Sequence, residues 1–86
     1  MASGSSRSVF VGNLPYSAGE QDIAEFFTQI GPVVHVRIVT DRETGRPKGF
    51  GFCEFDNEGA AQQAVQTLNG ADFMGRSLRV DYANSR

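Results

Sequence analysis

The sequence predicts an α+β fold, a four-stranded antiparallel sheet with two helices on one face, in the order β-α-β-β-α-β. Three observations carry this. Four short stretches rich in Val, Ile, Leu and Phe alternate from one side to the other, as strands do. Two intervening stretches space their apolar residues as one stripe of a helix, and Gly, Pro or Asn-Gly marks each change of period. At 86 residues, 40% hydrophobic and 21% charged, the chain holds one small domain.

Met1 to Ser6 is a Ser/Gly/Ala leader with nothing to bury. We expect residues 1–7 as a disordered tail, 8–83 as the domain and 84–86 as the start of a linker. The first strand covers residues 8–14, ended by Pro15. Ser17, three residues before Glu20, matches a capping box and is expected to start the first helix. Ile23, Phe26, Phe27 and Ile30 form its apolar stripe. Gly31-Pro32 stops it, with Gly31 expected in the left-handed cap conformation. A second strand follows at 33–39, then a charged loop from Asp41 to Lys48, then a third strand at 49–55. Asn57 is placed to cap the second helix, whose stripe is Ala61, Ala64, Val65 and Leu68, and Asn69-Gly70 ends it. The fourth strand covers about 77–82. Right-handed crossovers place strands one and three side by side in the middle, the split β-α-β or ferredoxin-like arrangement.

Composition excludes collagen-like, disulfide-scaffold and fully disordered classes. No apolar run approaches the about 20 residues of a membrane span. Cys53 is the lone cysteine, and with one histidine it falls short of a four-ligand zinc site. The chain reads as an intracellular, reducing-compartment domain with no cofactor, no metal and no membrane partner, monomeric in isolation.

The net charge of −2 hides a division. Residues 15–36 carry Glu20, Asp22 and Glu25, and residues 54–75 carry Glu54, Asp56, Glu58 and Asp72, with no Lys or Arg in either segment. Both segments are mostly helix, so the helices should be acidic and the strands and loops opposite basic. Local potential, not net charge, steers a ligand.

Alternation decides which strand residues face away from the helices. Phe50, Phe52 and Glu54 share one side of the third strand, and a carboxylate in so small a core would be costly, so that side faces water. Phe10 joins them from the first strand, with His35, Arg37, Ser77, Arg79 and Asp81 from the others. Aromatic rings are ordinarily core. Three of them on an open face, rimmed by cations, instead mark an interaction surface, and flat rings without a deep pocket suit stacked bases on a phosphate backbone.

Lys48-Gly49-Phe50-Gly51-Phe52-Cys53-Glu54-Phe55 resembles the octapeptide signature of the RNA recognition motif, and Val9-Phe10-Val11-Gly12-Asn13-Leu14 its companion hexapeptide. Cys53 stands where Val is usual. Within that family the chain is similar to the RNA-binding subunit of cleavage stimulation factor, through Gly31-Pro32-Val33-Val34, the run Asp41 to Lys48, and Cys53-Glu54. It departs in having Phe50 and Phe55 where Tyr is common, and in the Ser17 to Asp22 stretch. The resemblance implies binding of G/U- or U-rich single-stranded RNA during pre-mRNA 3′-end cleavage and polyadenylation in the nucleus, with other RNA-processing proteins met through regions outside this chain. It further implies that Phe10 and Phe52 stack on successive bases while Phe50 packs against sugars. Lys48 and Arg79 flank the rings, within reach of phosphates or base edges; Arg37 and Arg46 are weaker candidates. The resemblance also implies that Tyr16 and Arg76 hold one base between them, with Asn13 assisting, while Tyr16 reads equally as a packing residue at the entry to the first helix.

Three alternatives stand beside this reading. The domain belongs to another RNA-processing factor, of splicing or hnRNP type. Or it binds a peptide, although degenerate members of that kind tend to lose the outward aromatics kept here. Or it is an enzyme such as an acyl-phosphate hydrolase. That needs a phosphate cradle, yet Asn13 to Gly19 contains no Arg or Lys, and Gly45 to Gly49 lacks the Gly-Lys-Ser/Thr ending of a phosphate loop. We therefore expect no catalytic activity. His35 reads as a strand-surface residue, Cys53 as inward and inert, and Tyr82 either covers the sheet edge or contacts RNA.

Overall fold

The computed structural model describes residues 7–83. Strand β1 (Ser8–Gly12) leads to helix α1 (Glu20–Thr28), strands β2 (Val33–Thr40) and β3 (Pro47–Phe55), and helix α2 (Glu58–Leu68). A small hairpin of β4 (Asp72–Phe73) and β5 (Arg76–Ser77) precedes the last strand, β6 (Arg79–Tyr82). The main sheet is antiparallel in the order β2-β3-β1-β6, so β1 and β3 are central as the crossover argument requires. Both helices contribute to the core beneath one face.

The core follows from alternation. Val9 and Val11 of β1, Cys53 and Phe55 of β3, and Val80 of β6 point to the helices and are almost wholly buried. Ile23 and Phe27 of α1 and Ala61, Ala64 and Leu68 of α2 complete the same core cluster, and the Phe27 and Phe55 rings lie 6.2 Å apart. Asn57 caps α2 as expected, its side chain accepting the Ala60 N–H at 2.8 Å.

Five details differ from expectation. Helix α1 starts at Gly19, not Ser17. The chain first makes a turn, closed by the Ala18 N–H donating to the Pro15 carbonyl (3.0 Å), and Asp22 then accepts the Gly19 N–H at 2.9 Å. Gly31 is not in the left-handed region; its missing side chain serves a close approach, since a Cβ there would stand 2.8 Å from the Ala60 Cβ. Strand β1 stops at Gly12, because Asn13 turns out of the ladder at φ 61°. Strand β3 begins at Pro47, so Lys48 belongs to the sheet and not to the loop. The fourth strand is shorter, because Arg76 and Ser77 pair with Asp72 and Phe73 before Leu78 returns the chain to the core. Arg7, the last residue of the expected tail, accepts the Phe55 N–H through its backbone carbonyl at 2.8 Å; the remainder of the expected tail and linker, residues 1–6 and 84–86, lies outside the described residues.

Cys53 is fully buried, and burial pushes its thiol up from 9.0 to about 12. Between those pH values the unfolded chain releases a proton that the folded chain retains, so stability falls as pH rises through that window. We expect iodoacetamide to leave folded Cys53 unmodified at neutral pH by mass spectrometry, and to label it once denaturant is added. Labelling of the folded chain at neutral pH would contradict this burial.

No helix among the described residues is long and apolar enough to cross a membrane, and no group of three or more His, Cys, Asp or Glu among them is placed to hold a metal ion.

Candidate nucleic-acid interface

The face opposite the helices is open, and the strand register assembles it. Phe10 lies directly across from Phe52, Gly12 across from Phe50, and Arg37 across from Phe52 on the other side. On the β6 side Gly12 opposes Arg79 and Phe10 opposes Asp81. The three rings are half-buried rather than fully exposed, because they cover one another. Phe10 stands 5.7 Å from Phe50 and 6.0 Å from Phe52, and Phe50 meets Phe52 edge-on at 6.5 Å. These are favourable geometries for aromatic pairs. A Cβ on Gly12 would stand 2.8 Å from Phe10 Cε2, so the ring lies down over bare backbone.

Charge is graded along the strands. At the Gly12 end gather Lys48, Arg76 and Arg79; toward the Ser8 end lie Glu54 and Asp81. The front is therefore not uniformly basic, as the segment charges implied: cations gather at the Gly12 end, while toward the Ser8 end Arg37 and Arg7 stand beside the acids. Glu54 stands directly across from His35, and its ion-pair partner among the described residues is Arg7 at 4.0 Å.

Beyond Gly12 a cleft of about 520 Å³ opens between the β1–α1 turn and β5. Tyr16 and Arg76 both line it, together with Phe10, Phe50, Lys48 and Arg79. Tyr16 is 74% exposed, which disfavours a packing role at the start of α1. Asn13 joins the walls: its side-chain N–H donates to the Ser77 carbonyl at 2.7 Å, while its Oδ1 accepts from Arg76 Nη2 at 2.7 Å. Both polar ends of Asn13 are thus engaged. It fixes the direction of Arg76, a charge-neutral tether for the cation rather than a separate contact point.

Phe10, Phe50, Phe52, Lys48, Arg79, Tyr16, Arg76 and Asn13 all lie on this face or its cleft. Arg46 stands further out, on a second cleft of about 690 Å³ beyond Tyr16, shared with Asp41 and Thr44. Sequence reasoning assigned Asp41 and Thr44 no role. They order the loop, Asp41 Oδ1 accepting the Glu43 N–H at 2.8 Å and Thr44 Oγ1 the Arg46 N–H at 3.2 Å. Asx-type turns of this kind have a sequence signal in the spacing Asp41-x-Glu43. Tyr82 opposes Val9, whose side chain points to the helices, so register places it on the helix side and away from the open face.

The profile of the RNA recognition motif matches residues 9–79. The chain belongs to that family. It is 56% identical over 79 residues to cleavage stimulation factor subunit 2 of Homo sapiens, a match covering 92% of this chain and 14% of that protein. The chain thus spans about one-seventh of the length of that relative. Among solved structures, the RNA recognition motif of Rna15 superposes with a TM-score of 0.87 at 35% identity, covering 95% of this chain and 94% of that one. The Rna15 motif with bound RNA (GU) superposes with a TM-score of 0.81 at 35% identity, covering 92% and 84%.

Proposed function

We propose that this domain binds single-stranded RNA across the open sheet face, with a preference for G/U- or U-rich sequence, as part of pre-mRNA 3′-end cleavage and polyadenylation in the nucleus. The observation that carries the reading is the trio of interlocked phenylalanine rings on the central strands. Bases stack on Phe10 and Phe52, Phe50 supports the sugars between them, and each stacked base contributes about 1–3 kcal/mol. The cations at the Gly12 end give the backbone an anchor, whereas at the far end Glu54 and Asp81 offset Arg7 and Arg37. Strand polarity and charge together set the direction in which RNA lies.

In the cleft, Tyr16 and the tethered Arg76 hold one base face to face between an aromatic ring and a guanidinium plane. Lys48 and Arg79 reach phosphates or base edges from either side of the rings. The RNA-bound relative and the identity to cleavage stimulation factor subunit 2 support the choice of G/U-rich RNA and of 3′-end processing. The reading assigns no bond-making step to this chain; assembly with other processing factors is left to the parts of the parent protein outside it.

Fluorescence anisotropy with a short GU-rich RNA tests this. Binding is expected on the order of micromolar or tighter. With Lys48 and Arg79 as the phosphate contacts, log affinity should fall against log salt with a slope of about −1.4. An A-rich RNA of equal length should bind more weakly. Salt-independent binding, or equal affinity for all sequences, would remove respectively the cationic anchor and the base preference.

A further inference from the structure

The side of the molecule remote from the rings carries a second surface that RNA binding leaves unused. Where α1 passes the β4–β5 hairpin, a groove of about 440 Å³ is floored by Phe26, Phe73 and Met74 and edged by Asp22, Glu25 and Asp72. Phe26 and Phe73 pack with ring centroids 4.9 Å apart. Met74 is 54% exposed at the tip of the hairpin. An apolar side chain standing in water beside a half-buried aromatic ring leaves a foothold for another apolar group.

The rim has one sign. None of the three carboxylates has an ion-pair partner among the described residues. The segments that build the groove, residues 15–36 and 54–75, contain no Lys or Arg. Arg76, the nearest cation along the chain, is turned to Asn13 and the opposite face. Such a rim repels RNA and anionic lipid. It also repels a second copy of itself, because a two-fold contact through this groove would oppose Asp22, Glu25 and Asp72 to their own equivalents. What complements it is cationic with an apolar anchor.

We infer that this groove docks a Lys/Arg-rich segment of a partner protein, seating one large apolar side chain against Phe26, Phe73 and Met74 while its cations meet the three carboxylates. Since the rings and the groove lie on opposite sides, RNA and this segment occupy the domain together. The inference does not depend on what RNA the sheet face prefers.

Random peptides displayed on phage and selected against the folded chain test it, with enriched peptides then mapped by backbone amide shifts. Enriched peptides are expected to carry several Lys or Arg around one Leu, Phe or Trp. Their shifts should cluster at residues 22–29 and 72–75 and leave those of Phe10, Phe50 and Phe52 in place. The double variant Glu25→Lys, Asp72→Lys should weaken them about tenfold. Met74→Asn, which suits the positive φ at that position, should weaken them without moving the melting temperature. Neither variant should change affinity for a GU-rich RNA. The proposal fails if the enriched peptides are acidic or uncharged, or if nothing enriches above the unselected library. It fails equally if the shifts fall on the sheet face, or if the same amides respond to protein concentration alone, which would make the groove a self-association surface.

Discussion

Phe52→Ala keeps its fold and loses about 1–3 kcal/mol of RNA affinity, whereas Phe55→Ala loses about 3–5 kcal/mol of stability. The two residues belong to one strand and differ only in the side they take. Phe55 is fully buried, against Phe27 and beneath both helices, so truncation leaves a cavity in a core with few large side chains. Phe52 touches Phe10 and Phe50 on the open face, and its removal forfeits ring contacts of about 1 kcal/mol while the helix-side core stays intact. Denaturant melts and RNA titrations on both variants give the comparison. Unchanged affinity in Phe52→Ala would end the stacking account, and a larger stability loss there than in Phe55→Ala would invert the assignment of faces.

Gly51→Ala is the second large effect, and it acts through the backbone. A Cβ on Gly51 would stand 2.3 Å from the Arg37 carbonyl oxygen and 3.0 Å from the Ile38 Cα. Both belong to the neighbouring strand, which has no flexible end to move aside. The ladder is irregular just beyond this point, where the β2–β3 register shifts between Ile38 and Thr40. Overpacking costs about 1–3 kcal/mol in a yielding core; against a paired strand we expect the upper end or more. Since β2 carries Arg37 and its hairpin carries Lys48, parting of β2 from β3 also weakens RNA binding. A thermal melt of Gly51→Ala at wild-type temperature would show that the strands are further apart than described.

The sheet and its faces were legible because period-two alternation is strict in short strands with one wet side, and Glu54 fixed which side that was. The helix stripes were legible for the same reason at another period. Ser17 misled because a capping pattern at the right spacing takes no account of the turn that Pro15 begins; the backbone reaches helical geometry only after Gly19. The β4–β5 hairpin was invisible since strands of two residues have no period to read, and its signals, Gly70 and Gly75, read equally well as loop. Arg76 and Asn13 were chosen through family resemblance. Their hydrogen bond, between residues far apart in the chain, has no local signature.

The interlocking of the three rings bears on how discrimination arises. Phe10 is pinned over Gly12 and against two neighbours, so the platform has its rotamers chosen before any nucleotide arrives. Nearly all the freedom lost on association then belongs to the nucleic acid. RNA whose bases are already splayed, in a loop or between rigid stems, meets the surface with less to surrender than a supple single strand of identical sequence. Shape of the transcript around the site therefore joins base identity in deciding where this domain settles.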